Sequence, residues 1–112
     1  MKSYFEILLS NEAENFLENL DEKARNKIIY NIDKAKYTLD PKILKKLTKE
    51  IWEFRTKYRT TEYRLFAFWD KRYGKNTLVI ATHGIIKKTQ KAPKAEIDRA
   101  MRIRDHYFSQ KG

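Results

Sequence analysis

Three aromatic and β-branched runs follow one another within residues 51–88, at intervals too short for helices to lie between them. The first begins Ile-Trp-Glu-Phe-Arg at residue 51 and the second is Glu-Tyr-Arg-Leu-Phe-Ala-Phe-Trp from residue 62. The third is Leu-Val-Ile-Ala-Thr-His-Gly-Ile-Ile-Lys-Lys from residue 78. Runs of this composition bounded by turn residues form strands. Thr60 and Thr61 separate the first two, and Lys-Arg-Tyr-Gly-Lys-Asn at residues 71–76 separates the second from the third. Both connections read as tight turns. An antiparallel meander of strands at about 51–58, 62–70 and 77–86 is therefore expected, and such a sheet needs helices to cover at least one face.

The sequence supplies them. Residues 4–9 read as a short first strand, and Asn11 with Glu14 three positions on has the form of a capping box. Phe16, Leu17 and Leu20 give the helix that follows its apolar side. Ala24, Ile28, Ile32 and Ala35 recur at spacings of four, four and three, which predicts a second helix over residues 22–37. Asp40 and Pro41 end it, because proline disfavours helical geometry in the residue before it. Ile43, Leu44 and Leu47 suit a connector closing over the core. Pro93 opens a last helix, on which Ile97, Ala100, Met101, Arg104 and Phe108 share a side. The predicted order is β-α-α-β-β-β-α within one domain, residues 1–112. The fold class is α+β: a small curled antiparallel sheet, two N-terminal helices on one face, a C-terminal helix, and an open concave side.

Charge narrows the partners. The chain carries 25 Lys and Arg against 15 Asp and Glu, a formal net charge of +10. Such a field speeds encounter with phosphate backbones or acidic proteins. With no cysteine there is neither a disulfide framework nor a thiolate zinc site, and the two histidines, His83 and His106, are too scattered for a metal centre. No metal site and no cofactor are expected. No apolar run reaches the ~20 residues of a membrane span, and Glu6 interrupts the first apolar stretch before a signal-peptide core can form. A cytoplasmic location is the default expectation.

Strand parity decides which side chains share a face. Trp52, Phe54, Thr56 and Tyr58 form the natural core face of the first long strand, so Glu53, Arg55 and Lys57 should look into the open side. On the next strand Arg64, Phe66 and Phe68 oppose Tyr63, Leu65, Ala67 and Trp69. Both sets are largely apolar, which makes this strand central and puts Arg64 in a partly desolvated place. It is either a working cation or half of a structural ion pair with Glu53. His83, Ile85 and Lys87 share parity on the third strand, with Lys88 and Lys91 just beyond it. His83 is either a hydrogen-bonded core residue or a contact to substrate, and the lysines are either a solvated loop or phosphate contacts. His106 falls about half a turn from the apolar stripe of its helix, whereas Tyr107 lies nearer the sheet.

If such a chain is an enzyme, its tools are cations, one or two carboxylates, tyrosine and histidine. They suit cleavage of RNA by its own 2′-hydroxyl, a reaction in which the protein aligns the substrate, neutralises the phosphorane and moves protons. Arginine is the best residue for the second task, because its planar fork matches phosphate oxygens.

Trp52, Glu53, Phe54 and Arg55, then Tyr63 and Arg64, then His83, Gly84, Ile85, Ile86, Lys87 and Lys88, then Pro93, Glu96, Ile97 and Ala100 together resemble a known pattern. It is that of the phage-derived HigB-like branch of the RelE/ParE toxin superfamily. The resemblance spans about residues 47–107. It implies a RelE-like fold and the toxin of a type II toxin–antitoxin pair, cleaving mRNA at the ribosome without a metal. Its partners would be mRNA on the ribosome and a cognate helix-turn-helix antitoxin covering the basic concave side. Carried over by residue, Arg64 stabilises the scissile phosphate, Arg55 and Lys87 hold the backbone, and Glu53 is a general base or orients Arg55. Lys57, Lys88, Lys91, His83 and Tyr107 are the further RNA contacts. Several superfamily nucleases use a histidine or tyrosine near the C-terminus as general acid, for which this chain offers His106 and Tyr107 within a helix. The superfamily also includes ParE-like inhibitors of DNA gyrase that are not nucleases. A basic RNA- or ribosome-binding module is the third reading.

Overall fold

The computed structural model describes residues 2–80, 85–87 and 94–111. Among them lie three α-helices and six strands in a mixed α+β arrangement. The first strand, β1 (Glu6–Leu9), leads into α1 (Asn11–Glu18) and α2 (Glu22–Thr38). The N-cap of α1 is Ser10, one residue before the expected Asn11, and its Oγ accepts a hydrogen bond from the Ala13 N–H at 3.1 Å. Asp21 caps α2 by accepting from the Lys23 and Ala24 N–H groups. Leu39, in the left-handed conformation with φ 53°, ends it.

The expected connector holds a short strand, β2 (Leu44–Lys46), antiparallel to β3 (Trp52–Tyr58). β3 pairs antiparallel along its whole length with β4 (Thr61–Asp70). β5 (Thr77–Ile80) and β6 (Ile85–Lys87) follow, and α3 (Lys94–Lys111) closes the chain. The proposed start of this helix at Pro93 lies outside the described residues.

Two features of the sheet differ from the expectation. Where one third strand was predicted over residues 77–86, β5 pairs with the second half of β4 and β6 with its first half. The sheet is also not purely antiparallel, because β1 runs parallel to β5, Glu6 opposite Thr77. The strand order is β1-β5-β4-β3-β2, with β6 beside β4. A parallel partner some seventy positions away leaves no local mark in a sequence, unlike a hairpin.

Each face of the sheet has its own core. On one side Leu17, Ile28, Ile32 and Ala35 of α1 and α2 pack on Phe54, Leu65, Ala67, Leu78 and Ile80. Ala100 of α3, flanked by Ile97, Met101 and Phe108, packs on Ile51, Phe66, Phe68 and Val79 on the other side. The second face is therefore not wholly open, as expected from the sequence, but has one apolar half under α3 and one charged half.

Candidate functional site

The charged half of that face follows from register. Residues opposite one another on paired strands lie on the same face, and β3 and β4 set Arg55 opposite Arg64 and Lys57 opposite Glu62. β6 continues the rows, with Ile85 opposite Arg64 and Lys87 opposite Glu62. Glu53 stands one step closer to the apolar half, opposite Phe66.

Glu53 is fully buried and Arg64 is 2% exposed. Burying an unpaired charge is costly, and the pair answers that cost directly. Arg64 Nη1 donates to Glu53 Oε2 at 2.8 Å and Arg64 Nη2 to Glu62 Oε1 at 2.7 Å. Arg55 Nε donates to the same Glu53 oxygen at 2.9 Å. One buried carboxylate oxygen thus organises two arginines. Glu53 Oε1 and Arg64 Nε are buried with no hydrogen-bond partner among the described residues.

The cluster divides by accessibility. Glu53 and Arg64 are enclosed, while the Arg55 side chain retains 28% of its exposure and that of Glu62 37%. Lys57 is exposed. Among the described residues Arg55 is held through Nε alone, which leaves its Nη groups for another acceptor. Glu62 was not singled out from the sequence. Its signal was its position two residues before Arg64 on the same strand face.

The structure does not bring every expected site residue to this place. Tyr107 lies near the far end of β4, where its hydroxyl donates to Asp70 Oδ2 at 2.8 Å. Asp70 lies six residue steps along β4 from Arg64, about 20 Å at ~3.3 Å per residue. The Arg72 guanidinium holds Asp70 through Nε and Nη2, both at 3.1 Å, and stacks 4.7 Å from the Phe108 ring centroid. Those Arg72 bonds, with the Tyr107 hydroxyl, lower the Asp70 carboxyl from 3.8 to about 2. Burial first, and then the neighbouring Asp70 carboxylate, raise the Tyr107 phenol. His106 is exposed on α3, as its helical position predicted. His83, Lys88 and Lys91 lie outside the described residues.

Fold and site together define a small basic α+β protein with a cation–carboxylate cluster on half of one sheet face. Among the described residues no helix is long and apolar enough to cross a membrane. Residues 15–105 match the family described as phage derived protein Gp49-like, a toxin-like family, and the chain belongs to it. No curated protein and no solved structure matches it.

Proposed function

We propose that this chain is the toxin of a type II toxin–antitoxin pair, a HigB-like, RelE-type endoribonuclease that cleaves mRNA on the ribosome by metal-independent 2′-hydroxyl attack. The observation that carries this reading is Arg55. Its Nε is fixed by the buried Glu53 carboxylate, its remaining donors have no other partner among the described residues, and Lys57 and the Lys87 register position lie in the next row. A guanidinium already oriented on a rigid strand loses little freedom when it takes a phosphate, which is what transition-state stabilisation needs.

In this reading Arg55 binds the scissile phosphate, while Lys57 and Lys87 hold the flanking backbone. Arg64 and Glu53 are positioning residues, since both are enclosed and engaged with each other. Glu62 is the half-exposed carboxylate of the cluster and accepts the 2′-hydroxyl proton as the 2′-oxygen attacks phosphorus; the bond to the 5′-oxygen breaks and that oxygen takes a proton from water. Tyr107, occupied by Asp70, stands apart from the reaction. A cognate antitoxin is the expected protein partner, and the basic face favours an acidic one.

The test is to induce the chain in bacteria and map mRNA 5′ ends within minutes. New ends inside translated reading frames are expected, at least tenfold fewer with Arg55→Ala and with Glu62→Gln, compared at equal soluble expression because both side chains also pair with buried groups. Growth arrest with intact mRNA would instead support the gyrase-inhibitor reading. Absence of arrest at equal soluble expression would leave a binding module.

A further inference from the structure

The opposite end of the sheet, on the face covered by α1 and α2, carries a second concave surface. A cavity of about 440 Å³ is lined by Tyr4, Leu39, Pro41, Leu44, Trp52 and Trp69, with Lys71 and Asn76 also on its wall. Its aromatic wall is fixed: Trp69 meets Trp52 edge to face at 6.0 Å and Phe5 at 5.3 Å between ring centroids. Tyr4 and Leu39 remain 57% and 43% exposed. Trp69 and Lys71 also line an adjoining hollow of about 380 Å³ that holds Lys49, Arg104 and Glu50. Lys71 Nζ stands 5.7 Å from the Trp69 ring centroid. An apolar cavity and a mainly cationic hollow therefore share a wall.

Neither part belongs to the Arg55 cluster. Trp52 and Trp69 have the opposite strand parity to Arg55 and Arg64, and Trp69 lies about 17 Å along β4 from Arg64 at ~3.3 Å per residue. We propose that this two-part surface binds an acidic peptide segment of a partner protein. One leucine, isoleucine or phenylalanine side chain fills the Trp52–Trp69 cavity, and flanking carboxylates meet Lys71, Lys49 and Arg104.

Chemistry selects that occupant. Apolar pockets with a few charges at the rim accept an anchor side chain and set its orientation. Among the described residues the neutral polar side-chain groups lining the cavity are Asn76, the Tyr4 hydroxyl and the indole N–H donors of Trp52 and Trp69, so Asn76 and Tyr4 alone could accept from a nucleobase edge. Glu50 among the cations weakens the field for a phosphate dianion more than for single carboxylates spaced along a peptide. The formal net charge of +10 favours an acidic partner at longer range.

Trp52 and Trp69 are the only tryptophans of the chain, so its emission reports directly on this cavity. The full chain would be titrated with decapeptides rich in Asp and Glu around a central Leu, Ile or Phe. Controls carry Asn and Gln for the acids, or Ala for the anchor, and adenosine monophosphate is the nucleotide probe. The expected result is saturable quenching or shift by the acidic anchored peptides. Affinity should fall at least tenfold in either control, and tenfold with Lys71→Glu, a change at an exposed residue that the fold tolerates. The proposal is overturned if no acidic anchored peptide binds better than its neutral control. Binding unchanged by Lys71→Glu but lost with Arg55→Ala would overturn it by moving the contact to the other cluster. Saturation by the nucleotide alone would overturn it in favour of a nucleotide pocket.

Discussion

Arg64 and Glu53 show how a residue singled out for chemistry can be needed first for folding. Strand parity already put both on one face, so their pairing was legible as an alternative. The degree of enclosure was not, because β6, which pairs beside Arg64, arrives from later in the chain. Arg64→Ala would leave a fully buried carboxylate facing only Arg55, and removing one partner of a buried pair costs about 3–5 kcal/mol. Urea denaturation should show that loss, so inactivity of this variant would not by itself identify a catalytic group. Arg55→Ala removes the half-exposed partner and leaves the buried Glu53 carboxylate still paired with Arg64, so it is expected to cost less, about 1.5–3 kcal/mol. Asp70 was not legible at all, since no spacing announces an acid, an arginine and a tyrosine from different elements. Its folded-state value of about 2 lies below the ordinary 3.8, so its stabilising contribution is fully present above 3.8 and is lost as the pH falls through 2. Asp70→Asn should flatten the loss of stability with acid in that window, measured as the urea midpoint against pH.

At the level of elements, period and punctuation explain what was readable. The four-four-three stripe of α2 became its buried face, with Ala24, Ile28, Ile32 and Ala35 all enclosed. β3 and β4 stand close to their expected bounds, because a strand pair joined by a two-residue turn is a local signal. β2 was read only as a connector: three residues give too little alternation to distinguish a strand from a packed loop. The division between β5 and β6 and the docking of α3 on the second face are tertiary choices that the sequence pattern does not encode. The α3 interface yields the prediction that belongs here. Phe68 is fully buried and meets Tyr107 and Phe108 at 5.3 and 5.7 Å between centroids. Phe68→Ala should cost about 3–5 kcal/mol, seen as a lower denaturant midpoint while the charged end of β3 and β4 keeps its residues.

Across the whole molecule, charge is distributed so that the two ends of the sheet differ in what they ask of a partner. The Arg55 end offers cations around an enclosed ion pair, and the Trp69 end combines cations with an apolar cavity. Association of single-stranded RNA with the first should weaken steeply as salt rises. Lys57→Ala, at an exposed position, should reduce the slope of log affinity against log salt by about one and weaken binding uniformly across sequences. Fluorescence anisotropy at several salt concentrations measures both. The parallel pairing of β1 with β5 has a further consequence, for the timing of synthesis. Glu6 waits for Thr77, and closing so long a loop carries an entropic cost that only later contacts offset. A nascent chain can form α1, α2 and the β3–β4 hairpin early, yet its first strand has no neighbour until β5 has been made and has cleared the exit tunnel. The sheet gains that edge only when most of the chain has been translated, so a ribosome that stalls midway releases a fragment lacking it.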